Sequence, residues 1–493
     1  MTSIVFKKSM LKTIIFLGAF IMTNTSTAAS EAPLKLGYVP TSFPRDMIEV
    51  NQFAEHAILG QVLEPLVDAD RFGNMTPGLA KSWTVSSDGR TLTFDLFTDR
   101  VFSTGRPITS KDVVYSLTRH LDGGSQSRNF LTSIESISAE GPQGIIIKLK
   151  EPNVAILKAL TRDHLGIVPS DWKFDSKSDE PIIGSGAYRL VRKSGKWLLI
   201  TNEKFLHKEK ISIPQWELVF FSPEGSGVLE SPLPDYAPLI TQQGRDDLES
   251  EFKKNGIPVE IKEQLSFVQT SLWWYPHGER YRSTEDKSRI MSFLSDLVET
   301  RCKQTKCQRA TGIVPVGIAG FLPEPLKVAT APRRADKKIK VRLATMGVLF
   351  DFLFEGKTAA EVAAKHNVEF EFFTFSPATL KELTVKKPDV VMGSWAGGFN
   401  DPEGFLPLLN QLLATDFVKF LEDLAPLYQK ARTEQNWTKR ADLFREFNER
   451  LVKEQRMVPG WKIPMYSVRR PNLKEEEIGF RYTPRLINVK KGK

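Results

Sequence analysis

The segment between residues 338 and 395 alternates between strand-like and helix-like stretches, and this alternation constrains the fold more than any other feature of the chain. Three stretches rich in strand-forming residues predict β-strands: 338–344, 368–375 and 389–395. Residues 358–366 predict a helix between the first two, and a Ser-Pro pair opens a second short helix over 376–383. Strands that alternate with helices pair in parallel, so the segment predicts an α/β layer with a parallel sheet.

The rest of the chain predicts further strands and helices. Five other stretches have strand character: 92–96, 144–149, 188–191, 197–201 and 216–221. Residues 109–112 have the opening of a capping box, so a helix begins there. Two long helices are predicted at 421–432 and 437–453. The second carries an apolar stripe at helical spacing that predicts core packing: Leu443, Phe444, Phe447 and Leu451. A chain of 493 residues with this content predicts two or three domains.

The N-terminus has the pattern of a secretory signal peptide over residues 1–28. Three lysines precede an apolar stretch at 13–22, and a small-residue cleavage site follows at 26–28. The apolar stretch is too short to cross about 30 Å of hydrocarbon, so an uncleaved anchor helix is not expected. Since no cysteine stands near the cleavage site, we expect an exported, soluble protein without a lipid anchor.

Charge and hydropathy exclude two classes of protein. The formal net charge of +9 includes the three lysines of the predicted signal peptide, whose removal leaves +6. Such a weak and unclustered excess does not predict binding to nucleic acid. Beyond the N-terminus no run of about 18 apolar residues appears, so the body of the chain predicts no membrane span.

The chain contains two cysteines, Cys302 and Cys307, with four residues between them. In an oxidising compartment such a pair more often forms a local disulfide than a metal site. A structural zinc would need four nitrogen or sulfur ligands, and no histidine lies within 20 residues of the pair. We therefore predict a disulfide, whose short loop contributes about 2 kcal/mol to stability.

Local motifs for catalysis or cofactor binding are missing from the sequence. The six histidines are each more than 30 residues from the next, so we predict no metal site and no cofactor. Ser394 follows a glycine directly, which does not fit a nucleophile elbow. Asp351 stands where a phosphate-binding loop needs a glycine. The 59 carboxylates leave a glycosidase-like pair open, although nothing in the sequence points to one.

Aromatic residues cluster near turns at two places. Trp273, Trp274 and Tyr275 form a short aromatic strand, and strand alternation predicts that one of Trp273 and Trp274 faces the core and the other faces outward. Trp395 ends the last predicted parallel strand, and residues 396–402 follow it as a turn. Ligands of open α/β sheets bind outside the carboxyl ends of strands, so this turn is a candidate ligand site.

Several motifs resemble those of one known family and keep its order. They lie at residues 63–68 (Leu-Glu-Pro-Leu-Val-Asp), 73–83 (Gly-Asn-Met-Thr-Pro-Gly-Leu-Ala-Lys-Ser-Trp), 87–94, 101–113, 183–190 (Ile-Gly-Ser-Gly-Ala-Tyr-Arg-Leu), 389–402 and 440–463. Together they are similar to the family 5 extracellular solute-binding proteins, the dipeptide, oligopeptide and nickel binders of ABC importers. The resemblance covers nearly the whole chain after the signal peptide and is faint between residues 223 and 328.

The resemblance implies an α/β fold, a type II periplasmic binding protein with two lobes, a hinge and an additional inserted domain. The implied domains are lobe I (34–58, 181–263 and 466–493), inserted domain II (59–180) and lobe III, the ligand lobe (264–465). The chain would cross between the lobes near residues 264–275 and 464–468, and hinge closure would trap the ligand.

The resemblance also implies a function. The protein would capture a small organic solute, with a peptide-like solute as the first expectation, and deliver it to an ABC transporter permease in the inner membrane. It implies a periplasmic monomer that is not an enzyme. Residues expected in the cleft are Trp395, Gly398, Asn400 and Asp401, with Tyr275, Ser42 and Phe43 as weaker choices.

One departure from the family pattern bears on the ligand. Peptide binders of the family hold the peptide amine with an Asp at the place that Gly398 takes here. A buried ammonium without a carboxylate partner is costly, so a standard peptide pose is not expected unless Asp401 substitutes. Two other classes stay open. One is a non-transporting sensor or partner-binding protein of the same fold, and the other is a secreted hydrolase.

Overall fold

The computed structural model of the protein describes residues 32–38, 47–49, 53–123, 127–175, 177–220, 232–275, 283–326, 337–346, 352–354, 356–375, 379, 381–396, 399–406, 421–476, 479 and 483–492. The predicted signal peptide and its cleavage site lie outside these residues. All elements named below belong to the unit Leu34–Lys493.

The strands are, in chain order, β1 (Leu34–Tyr38), β2 (Val67–Ala69), β3 (Met75–Pro77), β4 (Ala80–Val85), β5 (Thr91–Leu96), β6 (Ile134–Glu140), β7 (Gly144–Leu149), β8 (Tyr188–Lys193), β9 (Lys196–Thr201), β10 (Gln215–Phe220), β11 (Tyr236–Ile240), β12 (Glu260–Gln264), β13 (Val268–Trp274), β14 (Ile339–Met346), β15 (Val368–Phe375), β16 (Val390–Ala396), β17 (Met457–Lys462), β18 (Met465–Arg469), β19 (Leu473–Glu475) and β20 (Val489–Lys491).

The α-helices are α1 (Phe53–Val62), α2 (Ser110–Asp122), α3 (Arg128–Leu131), α4 (Ala155–Ala159), α5 (Gln242–Lys254), α6 (Thr284–Thr305), α7 (Lys357–Lys365), α8 (Lys381–Lys386), α9 (Ala425–Thr433) and α10 (Trp437–Lys453). Short 3-10 helices lie at Met47–Glu49, Asp163–Leu165, Lys208–Lys210, Pro402–Gly404, Glu422–Leu424 and Leu486–Asn488. Among the described residues, none of the helices combines the length and the apolarity that a bilayer crossing requires.

Lobe I is the part of the chain built on a seven-stranded mixed sheet of order β12-β18-β11-β1-β10-β9-β8. Strand β1 runs parallel to β10 and β11, and the other pairs are antiparallel. Trp216 and Tyr188 are fully buried in its core together with residues of α1. The Tyr188 hydroxyl donates to the carbonyl of Ile213 at 2.9 Å, which satisfies the polar end of that ring.

The glycines of the Gly-Ser-Gly motif allow its backbone to pack directly against the C-terminal end of α1. The Gly186 amide donates to the carbonyl of Val62 at 2.8 Å. A Cβ on Gly184 would lie 2.1 Å from the same carbonyl oxygen, which is closer than any side chain could approach. The motif therefore serves a close backbone contact at this position.

The inserted domain II, called lobe II from here on, is built on a four-stranded antiparallel sheet of order β4-β5-β7-β6. On β5, Leu92, Phe94 and Leu96 are buried and alternate with more exposed residues, as the sequence predicted. Helix α2 begins at the predicted place, directly after Thr109, whose amide donates to the Asp112 carboxylate at 2.8 Å. Asp112 thus reaches back to the helix start as a capping box requires.

Lobe III is built on a five-stranded sheet of order β15-β14-β16-β13-β17. Strand β14 pairs in parallel with both β15 and β16, which confirms the parallel α/β layer predicted from the alternation. Strand β15 and helix α10 have the predicted bounds, whereas α8 ends at Lys386 rather than Leu383. The apolar stripe of α10 packs into the lobe III core beside Trp273, so its predicted role is confirmed.

Two neighbouring crossings connect lobes I and III. Strand β12 of the seven-stranded sheet leads through residues 265–267 into β13 of the five-stranded sheet. Strand β17 returns through residues 463–464 into β18, which pairs with β12. Because β13 also pairs with β17, the two connections run side by side, and this is the arrangement a hinge needs.

The predicted disulfide between Cys302 and Cys307 is present, and it closes the end of α6. Cys302 lies in the last turn of the helix, and Lys306 beyond the helix end has a left-handed backbone with a φ of 58°. This turn brings the Cα atoms of the two cysteines to 4.6 Å from each other. Cys302 is buried in the core between α6 and the lobe III sheet.

Candidate functional site

The carboxyl end of β16 lies directly beside the crossing between lobes I and III. In the antiparallel pair of β13 and β16, Trp395 stands opposite Gln269 and Ala396 opposite Val268. Val268 is the first residue of β13 after the crossing, and its carbonyl accepts a hydrogen bond from the amide of Ile463 at 2.9 Å. The turn that the sequence predicted as a ligand site therefore leaves the sheet at the hinge.

The side chain of Gln269 is part of this region although the sequence did not indicate it. It is buried, and its amide nitrogen donates to the carbonyl of Gly312 at 3.0 Å. A buried glutamine on a strand that faces the core is costly unless its polar atoms are bonded. Here these bonds fix the loop after residue 310 against the hinge end of β13.

Asp401 ends the turn and bonds it to helix α10. Its carboxylate accepts from the guanidinium of Arg440 at 2.8 Å and 3.2 Å and from the amide of Glu403 at 3.0 Å. Both side chains of the ion pair are completely buried. Burial alone would lower the pKa of Arg440, but the Asp401 carboxylate, together with Glu403 and Tyr428, raises that pKa above its ordinary value. The Asp401 carboxylate is therefore engaged inside lobe III in this structure.

A second buried group supports the same turn. The Glu403 carboxylate accepts from the Tyr428 hydroxyl at 2.6 Å and from Nε of Arg432 at 3.0 Å. Burial, assisted by the neighbouring Glu403 charge, raises the pKa of Tyr428 well above its usual value, so the hydroxyl remains a donor. The 3-10 helix Pro402–Gly404 is thus bonded at two points to α9, in addition to the bond between Asp401 and α10.

The first part of the turn contacts lobe II. The Phe399 ring packs edge-on against Phe130 of α3, with 5.4 Å between the ring centroids. The carbonyl of Asn400 accepts from Nζ of Lys158 in α4 at 2.7 Å. The side chain of Asn400 lies against Gly73, where a Cβ would come within 2.0 Å of its amide nitrogen. Asn400 and Asp401 are neighbours in sequence, but their side chains serve different lobes.

The remaining predicted site residues are distributed as follows. Tyr275 is buried in the lobe III core, its amide donates to the carbonyl of Asp389 at 2.8 Å, and burial raises the pKa of its hydroxyl to about 12. Trp395 belongs to β16, which fixes its backbone position. Gly398, Ser42 and Phe43 lie outside the described residues. Their roles, and those of Trp395, Asn400 and Asp401 toward a ligand, stay predictions.

Arg440 is a site-supporting residue that the sequence reasoning missed, although a signal exists. It lies four residues before Phe444 and seven before Phe447, on the apolar face of an amphipathic helix. A guanidinium on a core face needs a buried acidic partner. That partner lies 39 residues away in the sequence, and only the fold identifies it as Asp401.

Three of the six histidines meet in one buried cluster between α1, α2 and the 3-10 helix Asp163–Leu165. The rings of His56 and His164 have centroids 4.3 Å apart, and those of His120 and His164 are 6.3 Å apart. Nε of Arg162 lies 3.0 Å from Nε2 of His164. Among the described residues, no group of His, Cys, Asp and Glu has a geometry that could hold a metal ion. Their wide spacing in sequence gave no sign of this cluster.

Known proteins resemble the chain in sequence over part of its length. Residues 74–229 match the model of the bacterial extracellular solute-binding proteins, family 5 middle. The periplasmic oligopeptide-binding protein OppA of Haemophilus influenzae is 28% identical over 179 residues, which cover 31% of this chain and 32% of OppA. The oligopeptide-binding protein AliB of Streptococcus pneumoniae is 30% identical over 120 residues, which cover 23% and 18% of the two chains. The chain thus matches about a third or less of the length of these relatives.

Solved structures resemble it over almost its full length. The Escherichia coli murein tripeptide binding protein MppA aligns with a TM-score of 0.70 at 18% identity, covering 94% of this chain and 99% of MppA. DppA of Helicobacter pylori, in complex with the peptide STSA, aligns with a TM-score of 0.72 at 17% identity, covering 94% and 98%. These findings confirm the predicted resemblance and the type II periplasmic binding fold.

Proposed function

We propose that this chain acts as a family 5 extracellular solute-binding protein, which captures a small organic solute between lobes I and III and delivers it to an ABC importer. The observation that carries the proposal is the pair of adjacent crossings, with the turn after β16 at their edge. Two rigid bodies joined by two short connections that run side by side can rotate about them without unfolding. A solute at the hinge end of the turn contacts both bodies only when they close.

Closure of the lobes and binding of the solute are then thermodynamically coupled. Burial of the solute between the two lobes supplies the free energy that favours the closed arrangement, so a solute shifts the population only by its differential affinity for that arrangement. No bond is made or broken in this cycle. The proposal therefore has no need of a catalytic residue, and we propose that the chain is not an enzyme.

The solute is proposed to be peptide-like. This rests on the names of the matched proteins, which are oligopeptide- and murein-tripeptide-binding proteins. Trp395 is proposed to form a flat apolar wall and Asn400 a polar contact, with Gly398, Tyr275, Ser42 and Phe43 as further neighbours of the solute. Because Asp401 is bonded to Arg440, we propose that it shapes the turn and does not hold a free amine.

The cellular setting is part of the same proposal. The predicted signal peptide and the periplasmic relatives support export to the periplasm, where the protein would act as a monomer beside a permease of the inner membrane. The disulfide between Cys302 and Cys307 agrees with an oxidising compartment.

The decisive test compares native and denaturing mass spectrometry of the protein purified from its own periplasm without refolding. The proposal expects a stoichiometric small mass that is released on denaturation and whose fragmentation identifies the solute. A protein that carries no such mass and binds no member of a dipeptide-to-pentapeptide library in titration calorimetry would contradict it. That outcome would favour a sensor or partner-binding protein of the same fold.

The role of Trp395 is tested with the solute so identified. Trp395→Ala is expected to weaken binding at least tenfold while the thermal unfolding midpoint stays within a few degrees. Trp197→Ala is the matched control, because Trp197 lies on β9 of lobe I, far along the sheet from β12 and β18. Equal affinities of the two variants would remove Trp395 from the site.

A further inference from the structure

Lobes II and III meet at a second contact that does not involve the hinge strands. On lobe II it is formed by α3, α4 and the ends of two β-turns, and on lobe III by the turn at Phe399 and Asn400 and the facing ends of α9 and α10. Every pair named below that joins lobe II to lobe III consists of residues 240 or more positions apart in sequence. Such pairs form only when the two lobes are brought together.

Lys158 makes the most specific contact of this interface. Its ammonium donates to the carbonyl of Asn400 at 2.7 Å and lies 4.7 Å from the centre of the Trp437 ring. Burial lowers the pKa of Lys158 from its ordinary value, because the ammonium has left water to make these contacts. A desolvated ammonium with a carbonyl and an aromatic face as its surroundings is bound more strongly than one in water.

An ion pair is the second contact between lobes II and III. Nη1 of Arg432 lies 2.7 Å from the carboxylate of Glu151 in lobe II. Nε of the same guanidinium is bonded to the buried Glu403 of lobe III. This bond fixes the position of Arg432 independently of lobe II. A cation already held in place loses little side-chain entropy when Glu151 docks.

Phe399 forms the apolar part of the contact between lobes II and III. Its ring is only 7% exposed, and it belongs to the hydrophobic core of lobe II although it stands on lobe III. Two glycines of lobe II that face lobe III, Gly73 and Gly89, have left-handed backbones with φ of 80° and 68°. A Cβ on Gly89 would lie 2.6 Å from the side-chain amide of Gln435, so the two surfaces approach as closely as packed interiors do.

We propose that these contacts form an interlobe latch, which consists of Glu151, Lys158 and the Phe130 surface on lobe II, and of Phe399, the Asn400 carbonyl, Arg432 and Trp437 on lobe III. The latch stabilises the closed arrangement, which is the one in which these residues of lobes II and III are in contact. It sets how large a fraction of the molecules is closed at a given concentration of solute. This inference goes beyond the proposed function, because it concerns how the lobes are held and not what they bind.

The test measures the distance between lobes II and III directly. Both native cysteines are joined in the disulfide, so introduced cysteines can be labelled uniquely. Spin labels at Glu135→Cys on β6 and Glu446→Cys on α10 report the interlobe distance by double electron–electron resonance. Both positions are exposed and lie outside the latch.

The expected result is a shift of population from the short to the long distance. Lys158→Met and Glu151→Gln should each raise the open-to-closed ratio about tenfold, which equals about 1.4 kcal/mol. Phe399→Ala should raise it at least as much, because it empties a place in the lobe II core. The matched controls are Lys81→Met and Glu140→Gln, which change exposed charges on β4 and β6 of lobe II that are not part of the latch.

Two outcomes would overturn the latch. One is a distance distribution that all three latch variants leave unchanged. The other is a shift that the control variants reproduce, which would trace the effect to the net charge of lobe II. Circular dichroism and thermal unfolding of each variant establish that the lobes are folded during the measurement. Since no solute is added, the result is independent of whether the proposed function is correct.

Discussion

The buried histidine cluster predicts a large loss of stability in mild acid. His56, His120 and His164 are all buried, and burial is the largest cause that holds the pKa of each below its ordinary value. The charge of Arg162 lowers all three further, and for His120, whose pKa is lowered to about 3, Arg119 contributes more than Arg162. The folded protein therefore keeps the His120 ring neutral at pH 5, and burial favours the neutral form of His56 and His164 as well.

The magnitude follows from proton linkage. In the unfolded chain each histidine takes up a proton with a pKa near 6.5, so lowering the pH stabilises the unfolded state but not the folded one. For His120 this amounts to about 2 kcal/mol between pH 7 and pH 5, and the lowered pKa values of His56 and His164 act in the same direction. The sign is fixed by the direction of the shifts, since a base with a depressed pKa in the folded state loses stability as the pH falls below the unfolded value.

Urea unfolding at pH 7, 6 and 5 measures the effect as the dependence of the free energy of unfolding on pH. His120→Gln should remove about 2 kcal/mol of this dependence, because glutamine keeps a polar side chain but takes up no proton. His207→Gln is the control, since its imidazole is 45% exposed. A stability that is constant between pH 7 and 5, or an equal effect of both substitutions, would refute the reasoning.

Three further predictions concern single interactions. Arg440→Met should destabilise lobe III by about 3–5 kcal/mol in denaturant unfolding, because it leaves the Asp401 carboxylate buried without its cation; a loss below 1 kcal/mol would show that water reaches the carboxylate. The double variant Cys302→Ser/Cys307→Ser should lose about 2 kcal/mol and become insensitive to dithiothreitol, and an unchanged melting temperature would contradict the entropic argument. Asp112→Ala should cost about 2–3 kcal/mol in urea unfolding, since this carboxylate both caps α2 and bonds Arg106, whereas a cost equal to that of an exposed Asp95→Ala would contradict it.

Local patterns in the sequence predicted the elements of the fold well because the causes are local. Strand β15 and helix α10 were placed with their observed bounds, since alternation and helical spacing are properties of a single segment. The short helix α8 was placed three residues too early at its end, because the apolar pattern was followed only to Leu383 although Pro388, two residues beyond Lys386, marks the stop. Turn chemistry at Thr109 also sufficed to place the start of α2.

The candidate site was harder to predict because its partners are remote in sequence. Lys158 bonds Asn400 across 242 residues, and the three histidines of the cluster are spread over more than 100. No periodicity links such residues, and only the sheet order brings them together. Asp401 was expected to face a ligand, and its pairing with Arg440 depends on how the turn folds onto α10, which a linear pattern does not contain.

The place of β18 in the seven-stranded sheet has a consequence for biosynthesis. This strand lies between β11 and β12, so β12 has no neighbour in the sheet until residues 465–469 have been made. The four-stranded sheet of lobe II, in contrast, is complete once residue 149 has emerged. During translation or translocation lobe II can fold early, whereas lobe I waits for almost the entire chain. A truncated product that ends within lobe III would therefore leave an open sheet edge at β11, which can pair with other chains and aggregate.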